Sequence, residues 1–410
     1  MTDLQNVRRM DAEDPVASFR DRFSLPNGMI YLDGNSLGAL PRATPARIAD
    51  TVAHEWGDGL IGSWNTANWI GAPQRIGGKI ATLLGAREHE MVVADSTSVN
   101  LFKLLVASMT ARPDRHVILT EPGNFPTDLY VAQGIAALLP DVKVRTVQRD
   151  KILAEIDEDV AVVMLTHVHY KTGAMFDMAA VTRAAQAKGA LMLWDLSHSA
   201  GAVAVDLNAA GADLAIGCGY KYLNGGPGAP AFLFVAERHH GHLDSPLTGW
   251  MGHAAPFDFG DDYAAGAGVN RFLCGTPPIL AMAALEVGVD MMLEADRTAL
   301  FAKSRAMCVL FVDLVETRCA RFGLTLASPR DASARGSHVS FAHADGYPVM
   351  QALIARGVVG DFRAPDILRF GFTPLYVGYE DVWRAVEVLH DVLASGGWDA
   401  PEYRARAAVT

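Results

Sequence analysis

Between residues 91 and 235 seven short apolar runs recur, separated by stretches with helical spacing, and this alternation restricts the fold more than any other feature of the chain. The runs are 91–94, 117–120, 142–147, 161–165, 191–195, 214–217 and 231–235. Helical patterns lie between several of them, at 98–110 and 178–188 for example. Strand–helix alternation of this kind builds crossover units, and these predict an α/β fold with a mostly parallel central sheet covered by helices. Ligands of open sheets collect outside the carboxyl ends of the strands. Asp95, Glu121, Thr166 and Asp195 all fall at such ends.

Upstream, Thr44-Pro45 reads as the N-cap and first residue of a helix that carries Ile48, Val52 and Trp56 on one face. Downstream, a long helical region over 277–322 breaks near Asp296. Strand signals at 338–341, 358–363 and 367–372 and a final helix over 380–393 then indicate a smaller C-terminal α+β domain. The Gly/Asp/Ala stretch 260–268 reads as a loop, and no internal repeat is present.

A net charge of −11 argues against a nucleic-acid footprint or an anionic membrane surface as partner. No apolar stretch approaches the roughly eighteen residues of a membrane span. The first eleven residues have no apolar core of the secretory type, so a cytoplasmic protein is expected. Cys218, Cys274, Cys308 and Cys319 show no CxxC spacing, which points to neither a disulfide framework nor a zinc site.

Chemistry concentrates around Asp195 and Lys221. Asp195 closes the apolar run Leu191-Met192-Leu193-Trp194. Lys221 lies in Gly217-Cys218-Gly219-Tyr220-Lys221-Tyr222-Leu223-Asn224-Gly225-Gly226, a turn whose glycines allow close backbone approach to a ligand. A carboxylate ending one strand and a lysine in a glycine-rich turn after the next suit pyridoxal 5'-phosphate (PLP). The lysine forms the Schiff base and the carboxylate faces the pyridinium nitrogen. Asp95-Ser96-Thr97-Ser98 follows a strand and opens a helix. Alone such a cluster is ordinarily an N-cap; beside Asp195 and Lys221 it is a phosphate site. Tyr220 places a phenol beside the amine, as phosphate ligand or proton donor. The chain then divides into an N-terminal arm and first helix (1–50), a large PLP-binding domain (51–285) and a small C-terminal domain (286–410), against which the N-terminal segment can pack.

Other residues are less decisive. His198, in Asp195-Leu196-Ser197-His198, reads alone as a satisfied loop histidine. His239-His240-Gly241-His242 resembles a metal cluster, but without a second ligand group nearby it reads as surface histidines. His167 and His169 follow a strand end without an assignable role. Trp56, Trp64 and Trp69 punctuate a Gly/Asn-rich segment and are either core aromatics or the wall of a site for a ring-bearing substrate. Arg369, inside an apolar strand, requires an anion, either a structural carboxylate or that of a substrate.

Six blocks in order carry a resemblance. They are Tyr31-Leu32-Asp33-Gly34-Asn35-Ser36-Leu37-Gly38, Asn124-Phe125-Pro126-Thr127-Asp128, His169-Tyr170-Lys171-Thr172-Gly173, Trp194-Asp195-Leu196-Ser197-His198-Ser199, Tyr220-Lys221-Tyr222-Leu223-Asn224 and Gly249-Trp250-Met251-Gly252-His253. Together they resemble the kynureninase family over nearly the whole chain. The resemblance implies PLP fold type I, the aspartate aminotransferase-like fold, in a homodimer with shared active sites. It implies Lys221 as the Schiff-base lysine, Asp195 as pyridinium partner and His198 close to the cofactor. Thr97 and Ser98 match phosphate positions, and Phe125, Asp128 and Thr166 match positions around the ring. Tyr220 and Trp250 match phosphate contacts, and Thr276 matches a position near the phosphate supplied by the partner subunit. Arg369 matches the arginine that grips the substrate carboxylate, with Asn35 and Trp64 as further substrate positions.

Three departures from the family pattern occur. Ser98 stands where Thr is frequent, retaining a hydroxyl, and Thr373 replaces the commoner small residue before Pro374. Thr276 and Trp64 stand where vertebrate members have Asn and His, which resembles the bacterial type and favours L-kynurenine over its 3-hydroxy form. The implied reaction is PLP-dependent Cβ–Cγ hydrolysis of L-kynurenine to anthranilate and L-alanine, in tryptophan degradation or NAD biosynthesis, with Lys221 and Tyr220 moving protons. A cysteine desulfurase or aminotransferase of the same fold is the alternative. A desulfurase needs an activated thiol in a mobile loop, and only Cys274 is placed for that. A catalytically idle binding module predicts a missing lysine or carboxylate, and both are present.

Overall fold

The computed structural model describes residues 3–406. Seven strands form the central sheet: β1 Met91–Val93, β2 Val117–Thr120, β3 Lys143–Thr146, β4 Val160–Thr166, β5 Leu191–Asp195, β6 Leu214–Cys218 and β7 Ala231–Val235. Their spatial order is β1-β7-β6-β5-β4-β2-β3, and only β7 runs against its neighbours. Every residue of β4 to β7 is buried, because helices cover both faces. Side chains alternate between two cores. Val93, Leu119, Val163, Met192, Trp194 and Phe232 point one way, and Val92, Ile118, Val162, Leu193, Ile216 and Leu233 the other. Six strands therefore end on one edge, with the start of β7 beside them, and that edge carries the site.

The helical region after the sheet is two helices, Ile279–Glu294 and Arg297–Arg318. Asp296 divides them because its carboxylate caps the second, accepting from Thr298 N and Ala299 N at 2.9 and 3.1 Å. A four-stranded antiparallel sheet follows, built from β8 Thr325–Leu326, β9 His338–Ala342, β10 Asp361–Arg363 and β11 Ile367–Gly371, in the order β8-β9-β11-β10. Phe311 of the second helix packs on Phe370 and Phe372 at ring separations of 4.8 and 5.2 Å. The first helix of the chain, Leu4–Ala12, packs against Tyr379–Ser395, where Asp11 accepts from Tyr379 N and Glu380 N at 2.7 and 2.8 Å.

Two sequence expectations are corrected. Thr44 is the first helical residue rather than the cap, which falls at Ala43. The helix widens into a π-helix at Thr51–Asp58, and its Val52 and Trp56 are 41% and 57% exposed rather than buried. The run 358–363 is two strands, not one. Val358–Val359 pairs with Ile30–Tyr31, and after Gly360 the chain joins the C-terminal sheet as β10. A Cβ at Gly360 would stand 2.8 Å from the Arg369 carbonyl oxygen, so glycine permits the switch.

Candidate active site

At the end of β1 the chain turns sharply into the helix Thr97–Thr110. Asp95 takes a left-handed conformation (φ 48°), and the buried Lys103 Nζ holds its carboxylate while also donating to the Phe272 carbonyl oxygen. Ser96 is the N-cap, its Oγ accepting from Val99 N at 3.4 Å. Thr97 and Ser98 thus occupy the first helical turn, where amides and hydroxyls favour a bound anion.

The second component is the turn after β6. Lys221 is 7% exposed, and its Nζ lies 2.9 Å from His198 Nε2. Asn224 takes φ 55° and donates its N–H to the Lys221 carbonyl oxygen at 3.0 Å, closing the turn. Burial pushes the Tyr220 phenol up, so it is a protonated donor at neutral pH. Lys221 Nζ stands 5.7 Å from the ring centroids of both Phe125 and Tyr220.

Asp195 ends β5 with its Oδ1 accepting from Ser197 N at 2.7 Å. Thr166 Oγ1, at the neighbouring strand end, lies 2.5 Å from Asn124 Oδ1 and 3.2 Å from Asp128 Oδ2. Burial, and then the nearby Asp195, raise Asp128 well above the usual carboxylate range. Asp128 Oδ1 has no hydrogen-bond partner among the described residues. A cavity of about 380 Å³ is lined by Thr97, Ser98, Phe125, Asp128, Asp195, His198, Tyr220 and Lys221. Eight of the residues singled out in the sequence thus meet around one space, with Thr166 directly behind them.

Arg369, 1% exposed, lies across from Asp361 in the β10–β11 register. Its Nε donates to Asp361 Oδ1 at 2.7 Å, its Nη2 to Ser36 Oγ at 2.8 Å and its Nη1 to the Tyr170 carbonyl oxygen at 2.6 Å. With its amide oriented to satisfy both groups, Asn35 accepts from Arg369 Nε and Nη2 at 2.9 and 3.1 Å. A structural carboxylate therefore does face this arginine.

Comparison with known proteins agrees with this geometry. Residues 300–389 match the model of the kynureninase C-terminal domain, and residues 72–216 match the DegT/DnrJ/EryC1/StrS aminotransferase family. A kynureninase of Burkholderia mallei (strain ATCC 23344) is 53% identical and one of Pseudomonas fluorescens 51% identical, each alignment covering 100% of both chains. The chain belongs to the kynureninase family.

Among solved structures, the fold is shared with a cysteine desulfurase from Thermococcus onnurineus NA1 (TM-score 0.78, 19% identity, 92% of this chain and 98% of that one). It is also shared with a C-DES mutant carrying glycine covalently linked to its PLP cofactor (TM-score 0.76, 15% identity, 91% and 99% of the two chains). The fold is PLP fold type I and the cofactor is PLP. The cavity suits that group. It has a helix N-terminus for a phosphate, a buried lysine for an aldehyde, a strand-end carboxylate for a ring nitrogen and an unpartnered carboxyl oxygen beside it.

Besides Thr166, five residues expected from the kynureninase resemblance, Arg369 among them, do not line this cavity. Thr276 lines an adjoining cavity of about 590 Å³, which shares Asp95 and Gly228 with the first. Trp250 is 41% exposed in another cleft, against Phe257 and Phe259. Trp64 packs edge-on to Trp69 at 6.0 Å. Asn35 lies with Arg369, as described. His167 bonds Ser199 Oγ through Nδ1 at 2.9 Å, and His169 Nε2 bonds the Gly123 carbonyl oxygen at 2.9 Å. His239 is taken up by Asp213 and His240 by the Val235 carbonyl oxygen. Asp361 is the residue that sequence reasoning missed; the available signal was a lone acid on the strand preceding the one with a lone arginine.

Proposed function

We infer that this protein hydrolyses L-kynurenine to anthranilate and L-alanine, consuming one water, and that Lys221 carries the cofactor. The observation that carries this reading is the meeting of Asp195, His198, Tyr220 and Lys221 around one cavity in a chain that aligns end to end with kynureninases. The cofactor, when bound, supplies an electron sink for carbanions formed at Cα and Cβ of an amino acid. Lys221 removes and returns the Cα proton, its amine held by the His198 Nε2 lone pair. Asp195 presents its carboxyl group at the strand end, where it would face the ring nitrogen. Thr97 and Ser98 anchor the phosphate, and Phe125 covers the space above the lysine. Tyr220, a neutral phenol, donates a proton as the Cβ–Cγ bond breaks.

We place the substrate carboxylate at Arg369, steadied by Asn35, and the aromatic tail towards Trp64. Thr276 and Trp250 complete the site from a second copy of the chain. Support for a homodimer comes from apolar side chains left exposed on one helical segment: Val52 (41%), Trp56 (57%), Leu60 (62%) and Ile61 (81%). Four free cysteines accord with a reducing cytoplasm. No helix among the described residues is long and apolar enough to cross a membrane. The cysteine desulfurase reading rests on Cys274 alone, whose Sγ donates to the Leu247 carbonyl oxygen at 3.5 Å, since Cys218, Cys308 and Cys319 are at most 3% exposed.

Steady-state kinetics with L-kynurenine and 3-hydroxy-L-kynurenine, following product fluorescence, test the proposal. Equimolar anthranilate and alanine, with kynurenine preferred, is the expected result. No anthranilate, with sulfur or alanine released from cysteine instead, would overturn it.

A further inference from the structure

His338 opens β9 and is fully buried, and neither ring nitrogen makes a well-formed hydrogen bond among the described residues, although the ring approaches the His169 backbone. Leaving one such group unpaired costs about 1–3 kcal/mol, and a phenylalanine would fill the same space without that penalty. A Cβ at Gly173 would stand 3.3 Å from His338 Cδ2 and Nε2, so the turn after Tyr170 closes over the ring. Beside it stands His198, with ring centroids 5.5 Å apart and planes inclined by 60°. His198 has the complementary defect. Its Nε2 faces Lys221 Nζ at 2.9 Å, while its Nδ1 has no partner.

The hydrogen positions follow from this. With Lys221 Nζ donating across the 2.9 Å contact, His198 Nε2 presents a lone pair and Nδ1 carries the hydrogen. The titratable and charged groups facing His198 are Lys221, Arg369, His338 and Arg363. Those facing His338 are Arg369, Asp361, His169 and His198 itself. Burial first, and then neighbouring cations, Lys221 for His198 and Arg369 for both, push the two histidines well below their usual range. Both rings are therefore neutral, each with one donor and one acceptor nitrogen. Arginines cannot accept a hydrogen bond. Of the four groups around His198, His338 is the one with a lone pair to offer Nδ1–H. In the structure the two rings are adjacent but not bonded, with centroids 5.5 Å apart and His198 Nδ1 unpaired among the described residues.

We propose that His338 is a positioning residue that accepts from His198 Nδ1–H and thereby keeps the His198 Nε2 lone pair turned towards Lys221. The resulting chain, Lys221–His198–His338, links the reactive amine to the sheet that carries Arg369. Without the acceptor, the imidazole gains by shifting its hydrogen to Nε2, where it opposes the hydrogens of the lysine. The inference rests on Lys221 being the cofactor lysine, and it concerns the protein's own groups before any substrate binds.

Nitrogen-15 spectra of the full-length, histidine-labelled protein without cofactor give the test, with the His198 signals assigned by their loss in His198→Gln. The expected result is a protonated Nδ1 and a bare Nε2 in the wild type and in His338→Gln, whose amide oxygen can accept, and the reverse in His338→Phe. In the same three proteins, reductive methylation of Lys221 at one fixed pH is read by peptide mass. It should run about tenfold faster in His338→Phe, a change on the scale of one lost hydrogen bond, and near the wild-type rate in His338→Gln. A wild-type His198 protonated on Nε2 overturns the proposal, whichever variants fold. So does a His338→Phe protein of unchanged melting temperature whose Lys221 reacts as before, or a His338→Gln protein that behaves like His338→Phe. None of these readings requires turnover, so their failure is distinct from a failure to cleave kynurenine.

Discussion

Burial, and then the Asp361 carboxylate, push Asp33 up to about 7, with Arg369 pulling the other way. A carboxyl raised in the folded state contributes stability that is complete below its ordinary value near 4 and is lost as pH rises through 7. Urea unfolding should therefore show a loss of stability between about pH 4 and pH 7 that Asp33→Asn abolishes; an unchanged slope in the variant would contradict the assignment. Arg369 is legible in the sequence as a charge that needs an anion, but its partner is not. Asp361 lies opposite it only because Gly360 lets the chain change sheets. Arg369→Lys keeps the charge and loses the planar fork that serves Asp361, Ser36 and Tyr170 together. We expect KM for kynurenine to rise about tenfold or more, the scale of one strong charged hydrogen bond, with a smaller change in kcat. An unaltered KM would show that the arginine is structural alone.

The inner strands β4 to β7 are readable almost to the residue, because a strand buried on both faces is a continuous apolar run. The helix break at Asp296 is equally visible, since a capping aspartate between two apolar periodic stretches has one use. The π-helix Thr51–Asp58 escapes notice because its residues obey ordinary helical spacing while the backbone does not. One element contact bears directly on the lysine. At Gly288, within Ile279–Glu294, a Cβ would run into the Leu223 carbonyl oxygen, and backbone cannot swing aside. Gly288→Ala should cost about 1–3 kcal/mol of stability and, by displacing the Lys221 turn, weaken PLP binding measured by absorbance titration. Wild-type PLP affinity in a destabilised variant would uncouple the helix from the turn.

For the whole molecule, the N-terminal helix, the two sheets and the helices between them place the phosphate site, the lysine and Arg369 on separate parts of the chain. The sequence motifs mark each part but say nothing of which residues a single copy brings together. Trp64, Trp250 and Thr276 stand outside the cavity, and Trp56, Leu60 and Ile61 are exposed. Ile61→Glu puts a charge into the proposed dimer contact. Light scattering should find the wild type as a dimer and the variant shifted towards monomer with lower activity, whereas a monomeric active wild type would contradict the shared site. Lys221 is the proposed cofactor lysine, and two other buried lysines, Lys103 and Lys303, provide internal controls. Borohydride reduction of the PLP-loaded enzyme followed by peptide mass mapping should place the pyridoxyl adduct on Lys221 alone; an adduct on either of the others, or none, would contradict it.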